Sequence, residues 1–255
     1  MSKHQIGYTI FGVFTLFYVY GYIVNGWSVI YYVSFFVLWF VMVLYGSFFI
    51  RSNYHLKAIS SVKTDERVVS ITFDDGPTVH TNAVLDILKK GGHKASFFCI
   101  GQRIQENPLM AERIVKEGHS IENHTYSHSK HISFASTKKL IEEIEKTDEI
   151  IKRQTGVKPQ FFRPPYGVTN PNFMRTIRQS KHVVIGWNIR SLDTVIESED
   201  KILKRITKLV KNGSIILLHD TSEKSIIVLE RLLQYLNDNN YRSVTVDELL
   251  KLRKK

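Results

Sequence analysis

The chain has 255 residues, with 35 Lys and Arg, 24 Asp and Glu, and a single cysteine. Fourteen Gly and six Pro exclude a collagen-like or low-complexity chain, and 43% hydrophobic residues exclude wholesale disorder. The lone Cys99 excludes an intramolecular disulfide framework and a cysteine-ligated zinc finger.

Charge is spread unevenly. Residues 1–50 contain no acid, Lys3 is their one Lys or Arg, and they hold 17 of the 30 aromatic residues. Residues 51–255 carry all the acids and a net charge of +10. The pattern predicts a membrane anchor (1–50), a polar linker (51–66) and a soluble, basic domain (67–255). Within the anchor, residues 5–24 and 29–50 are each long enough to cross a hydrocarbon core of about 30 Å as a helix. Asn25-Gly26-Trp27-Ser28 reads as the turn between them. A cleaved signal peptide is a poorer reading, because the apolar run is too long and no small-x-small site follows it. Lys3 precedes the first span, Arg51, Lys57 and Lys63 follow the second, and the turn is uncharged. The positive-inside rule therefore favours both ends in the cytoplasm.

Beyond residue 66, β-rich and helical stretches alternate. Strands are predicted at 67–73, 94–100, 182–187, 214–219 and 242–246. Helices are predicted at 81–90, 108–117, 136–154, 199–211 and 223–238, with a short basic helix at the end. Leu140, Ile144, Ile150 and Ile151 mark the core stripe of the long helix. Such alternation predicts parallel β/α units.

Four short motifs carry the chemistry. The first predicted strand runs into Asp74-Asp75-Gly76-Pro77. Adjacent side chains diverge, so one carboxylate can hold a metal while the other faces a substrate. Strand ends are where β/α folds place ligands. His124 and His128 are spaced i, i+4, which on a helical turn brings both imidazoles to one side. With Asp75 they form a His-His-carboxylate set, the open three-ligand arrangement of a catalytic zinc or similar ion. Arg163-Pro164-Pro165-Tyr166-Gly167 is a loop stiffened by two prolines. Finally, Leu217-Leu218-His219-Asp220 ends an apolar strand with a histidine, and Asp193, at the end of the preceding strand region, could orient it.

In this order and spacing, TFDDGP, HTYSH, RPPYG and LLHD resemble the motifs of the polysaccharide deacetylases, the NodB-homology domain of carbohydrate esterase family 4. The resemblance covers roughly residues 66–250. It implies a distorted (β/α) barrel, preceded here by two transmembrane helices, and metal-assisted hydrolysis of an N-acyl group on an amino sugar. Carried over position by position, it makes Asp75, His124 and His128 ligands of a divalent metal, most often Zn2+, with Co2+, Mn2+ or Ni2+ as alternatives. Asp74 would be the general base, with Arg163 as its ion-pair partner. The backbone N–H of Tyr166 would face the oxyanion, and His219, oriented by Asp193, would be the general acid. One position departs from the family pattern: Thr194 follows Asp193 where an aromatic residue is usual. Trp187 could fill part of that wall, and Arg190 adds a cation that either meets an anionic substrate or sits on the surface.

The expected partners are an N-acetylated glycan or a lipid-linked amino sugar, together with membrane lipid. Lys and Arg are dispersed among acids without an aromatic–basic motif, so nucleic acid is not an expected partner. A non-catalytic glycan-binding descendant of the fold is the competing reading. Extracytoplasmic glycan is the habitual substrate of the family, whereas a cytoplasm-facing domain would suit a lipid-linked sugar.

Overall fold

A computed structural model describes residues 3–254; Met1, Ser2 and Lys255 lie outside the described residues. The N-terminal segment is a helical hairpin of α1 (Lys3–Asn25) and α2 (Val29–Phe48), turning at Gly26 with φ 63°. Both helices are long and apolar enough to cross a membrane, and most of their surface is not covered by the rest of the chain. Aromatic rings zip the pair together: Phe14 stacks on Phe35 and Phe11 on Trp39, with centroids 3.7 and 4.2 Å apart.

The rest of the chain alternates strand and helix. In order come β1 (Ala58–Ile59), β2 (Val68–Asp74), α3 (Thr81–Gly91), β3 (Ala95–Cys99), α4 (Gly101–Glu106), α5 (Pro108–Lys116), β4 (Ser120–Asn123) and α6 (Thr137–Thr155). They are followed by β5 (Phe161–Phe162), α7 (Pro171–Ser180), β6 (Val183–Ile185), β7 (Ile189–Arg190), α8 (Glu199–Thr207), β8 (Ser214–His219), α9 (Glu223–Asp238), β9 (Arg242–Ser243) and α10 (Val246–Lys251). All strand pairs in the sheet are parallel, in the order β1-β6-β5-β4-β3-β2-β8-β7, with β9 added to the start of β2. The sheet curls into a half-barrel whose edge strands, β1 and β7, are not partners.

Every residue of β2 is buried, as expected for a central parallel strand covered on both faces. The period-2 pleat sorts them. Val69, Ile71 and Phe73 pack outward with Leu85, Leu88 and Leu229. The alternate residues Ser70, Thr72 and Asp74 turn inward, where the polar centre of the half-barrel lies. The four predicted core positions of α6 are all buried.

Two predicted features take a different form. Residues 51–66, read as a linker, contain β1, which pairs with β6, and bury Tyr54, His55, Leu56 and Val62. The end of α2 is likewise part of the domain. Thr169 donates its backbone N–H to Ser47 O at 2.9 Å and its hydroxyl to Gly46 O at 3.2 Å, and Ser47 Oγ lies 3.0 Å from His55 Nε2.

Candidate active site

Parallel register brings the strand ends together. Asp74 at the end of β2 is level with His219 at the end of β8, and Cys99 of β3 with Asn123 of β4. Asn123 in turn pairs with Phe162 of β5, so His124 and Arg163 begin adjacent loops. A pocket of about 210 Å3 opens over these ends; Asp74, Asp75, His124, His128, Tyr166 and His219 line it. Arg163 and Asp193 stand immediately behind it, each bonded to a lining residue. All eight residues singled out from the sequence thus converge.

Arg163 is fully buried, and its guanidinium is used on every side. Nη1 donates to Asp74 Oδ1 at 2.6 Å and Thr72 Oγ1 at 2.8 Å, Nε to Ile185 O at 3.1 Å, and Nη2 to Gly186 O at 3.0 Å. Its face lies 4.0 Å from the Phe98 ring. Burial lowers the Arg163 pKa while Asp74 opposes the shift. The fork occupies Asp74 Oδ1, and Oδ2 is on the side of His124, 3.8 Å from its Nε2.

The Asp75, His124 and His128 donor atoms lie within 4.8 Å of one another. Asp75 Oδ1 is 3.4 Å from His124 Nε2 and 3.3 Å from His128 Nε2. Two ligands bound at about 2.0–2.1 Å to a tetrahedral ion stand about 3.4 Å apart, so the spacing fits a divalent cation. The proton inventory agrees. His124 Nδ1 is 2.7 Å from Arg163 O, an acceptor only, so Nδ1 carries the hydrogen and Nε2 presents its lone pair. Asp75 Oδ1 is buried and has no hydrogen-bond partner. Burial pushes His128 down to about 4, keeping it neutral.

The two imidazoles do not share a helical turn, as their spacing had suggested. Residues 124–130 form an irregular loop in which Thr125 and His128 have φ of 66° and 46°. Tertiary bonds fold it instead. Glu143 of α6 accepts the N–H groups of Tyr126 at 3.0 Å and Ser127 at 2.7 Å, and Asn123 Oδ1 accepts Thr125 N–H at 2.9 Å. Asp75, Tyr166 and Leu192 also have positive φ, so five such non-glycine residues surround the pocket.

His219 and Asp193 form a second closed unit. Asp193 accepts His219 Nδ1–H and N–H, both at 2.8 Å, Ser191 Oγ–H at 2.8 Å and Ser225 Oγ–H at 3.0 Å. Burial alone would lower the imidazole pKa; the Asp193 bond and charge, with Asp74 and Asp75, push it up to about 9. Because this lies above the ordinary 6.5, the stability His219 contributes is full below pH 6.5 and is lost as pH rises through about 9.

Sequence reasoning assigned no role to Asp220, Glu143, Ser191, Ser225 or Thr72. Asp220 is fully buried under the Asp75-Gly76 turn, and its carboxylate accepts Thr81 Oγ–H. A Cβ on Gly76 would stand 2.5 Å from Asp220 Oδ2, which explains the glycine. A legible signal existed for Glu143, a lone acid within the apolar stripe of α6. Gly167, Trp187, Arg190, Thr194 and Leu217 complete the pocket wall.

The sequence profile of polysaccharide deacetylases matches residues 61–185. A peptidoglycan-N-acetylglucosamine deacetylase of Bacillus cereus is 34% identical over 198 residues, covering 75% of this chain and 92% of that protein. The chain belongs to the polysaccharide deacetylase family. It is a hydrolase of the carbon–nitrogen class. The crystal structure of the peptidoglycan deacetylase PdaC from Bacillus subtilis superposes on this family member with a TM-score of 0.70 at 33% identity, covering 75% of this chain and 93% of that one. The chain spans only 41% of full-length PdaC. A Bacillus anthracis pseudoenzyme of carbohydrate esterase family 4 gives a TM-score of 0.72 at 24% identity, covering 78% and 70%, and so shares the fold.

Proposed function

We propose that the chain is a membrane-anchored, metal-dependent N-deacetylase of amino-sugar glycan. One observation carries the reading. Three donor atoms with cation-like spacing sit between a carboxylate held by a buried Arg and an imidazole held by a buried Asp. A divalent cation bound by Asp75, His124 and His128 would supply Lewis acidity to the attacking water and to the acyl carbonyl.

The chain's own residues do the rest. Asp74 accepts the proton of the attacking water at Oδ2, since Arg163 holds Oδ1. The Tyr166 N–H donates to the oxygen that gains charge. His219 Nδ1 is committed to Asp193, which leaves Nε2 to protonate the departing amine. Leu217 and Trp187 offer an apolar wall in a cavity of about 210 Å3, sized for a short acyl group. Thr194, at the usual aromatic position, lines the same cavity with Arg190.

The full chain in lipid nanodiscs should release acetate from N-acetylglucosamine oligomers or peptidoglycan. A chelator should abolish the release and Zn2+ restore it. His128→Ala should bind less than one equivalent of metal. Acetate release that persists in chelator, with no metal bound, would refute metal dependence. Metal binding without hydrolysis of any acylated amino sugar would favour the glycan-binding reading.

The acid role predicts a pH effect. Asp193→Asn removes the charge that raises His219, so the alkaline limb of the kcat/KM profile should move down by about one to three units. An unmoved limb would take the acid role from His219.

Thr169 ties the loop that bears Tyr166 to the last turn of α2, which supports a substrate presented close to the membrane. The names of the relatives favour peptidoglycan, on the outer face. A second reading, a lipid-linked amino sugar on the cytoplasmic face, is favoured by the basic residues Lys3, Arg51, Lys57 and Lys63 at the domain side of the hairpin. A C-terminal topology reporter separates the two.

A further inference from the structure

Two cavities meet where the hairpin joins the domain, away from the residues that line the pocket described above. The first, about 320 Å3, is bounded by the start of α1, the segment before β1 and helix α7. Each of these elements contributes one cation, namely Lys3, Lys57 and Arg178, and no acid lines the cavity. Among the described residues, none of the three cations forms an ion pair. All three are exposed, and together they give one cavity a positive lining that favours an anion. Lys3 is held at the seam by a 2.7 Å bond from Nζ to Ser52 O.

The second cavity, about 380 Å3, begins at the same Lys3 and follows the groove between α1 and α2 past Ile10 and Trp39. Its walls are apolar apart from Lys3 and Tyr54. Tyr54 is 7% exposed, and its hydroxyl has no hydrogen-bond partner. A buried, unpaired hydroxyl is costly unless a ligand supplies an acceptor. Cationic chamber, orphan donor and apolar groove therefore lie in the order phosphate, ester oxygen and acyl chain.

We infer that this junction binds one anionic glycerophospholipid. The phosphate sits among Lys3, Lys57 and Arg178, the Tyr54 hydroxyl donates to an ester oxygen, and one acyl chain lies between α1 and α2. The inference rests on the membrane-anchor reading. It goes beyond that reading in naming a built site instead of a general attraction of basic residues to the bilayer.

The test uses the full chain purified in detergent and equilibrated with equal amounts of phosphatidylglycerol and phosphatidylcholine, with retained lipid read by native mass spectrometry. One phosphatidylglycerol should be retained in preference. Lys57→Gln with Arg178→Gln should reduce the preference about thirtyfold, the effect of two cations near a phosphate. Tyr54→Phe, which keeps the packing, should weaken retention about tenfold. Lys89→Gln with Lys90→Gln, the same charge change on exposed α3, should leave the preference unchanged. Equal retention of both lipids by the unaltered chain overturns the site. So does a preference that survives the Lys57 and Arg178 changes, or displacement of the lipid by millimolar inorganic phosphate. Alkaline carbonate washing of membranes tests the underlying reading separately. A chain released by the wash refutes the anchor, whereas a chain that stays but shows no lipid preference refutes the site alone.

Discussion

Asp74→Asn is expected to lower kcat by about 10²–10⁴-fold while leaving divalent-cation binding in place. The substitution is nearly isosteric, and an amide oxygen can still accept a hydrogen from Arg163 Nη1, which stands 2.6 Å from Oδ1. What disappears is the basic oxygen on the side of His124, which an amide NH2 group cannot replace. Asp75, His124 and His128 are untouched by the change, so metal stoichiometry measured by elemental analysis should stay near that of the unaltered chain. Activity within threefold of the original would exclude Asp74 as the general base. Loss of metal together with activity would show that Asp74 is instead part of the ligand set.

Arg163→Met should act mainly on stability. The guanidinium is wholly buried and satisfies four acceptors: Asp74, Thr72 and the carbonyls of Ile185 and Gly186. Methionine fills part of the volume between Phe98 and Trp187 but leaves a buried carboxylate without its counter-ion. Removing one partner of such a pair costs about 3–5 kcal/mol, which for a chain of this size is a fall in Tm of roughly 10 °C. Lysine should rescue little. Its single ammonium cannot reach Asp74 Oδ1, Ile185 O and Gly186 O in one plane as the planar fork does. A calorimetric Tm equal to that of the unaltered chain would mean that the pair contributes nothing net and that Arg163 is retained for position alone.

Much of this arrangement is legible in the sequence because period-2 and period-3.6 patterns are long there. The seven residues of β2 and the 19 of α6 each repeat enough to announce themselves. The motifs at the strand ends then follow from parallel register, which puts Asp74 beside His219 without any contact between them in sequence. Two-residue strands carry no period, so β1, β5 and β7 were invisible. For the same reason residues 51–66 read as a linker. The loop 124–130 misled in another way. An i, i+4 histidine pair has helical spacing, but Glu143 and Asn123 offer its N–H groups better partners than its own carbonyls do. That preference is tertiary and leaves no local trace. The Asp193 pairing was legible only as proximity; the two serines that complete its shell come from the β7–α8 segment and from α9.

The bonds from Thr169 to Gly46 and Ser47 bear on modularity. A tether that merely confines an enzyme to a surface can be exchanged for any other of similar length. Here the final turn of α2 contributes carbonyl acceptors to a loop whose middle residue, Tyr166, holds a left-handed conformation at φ 61°. The helical hairpin and the half-barrel therefore share a structural part, and the last turn of α2 is as much a piece of the scaffold as the sheet. A change that removes the Gly46 and Ser47 acceptors would therefore be felt in the loop that bears Tyr166, and the hairpin cannot be exchanged as a mere tether.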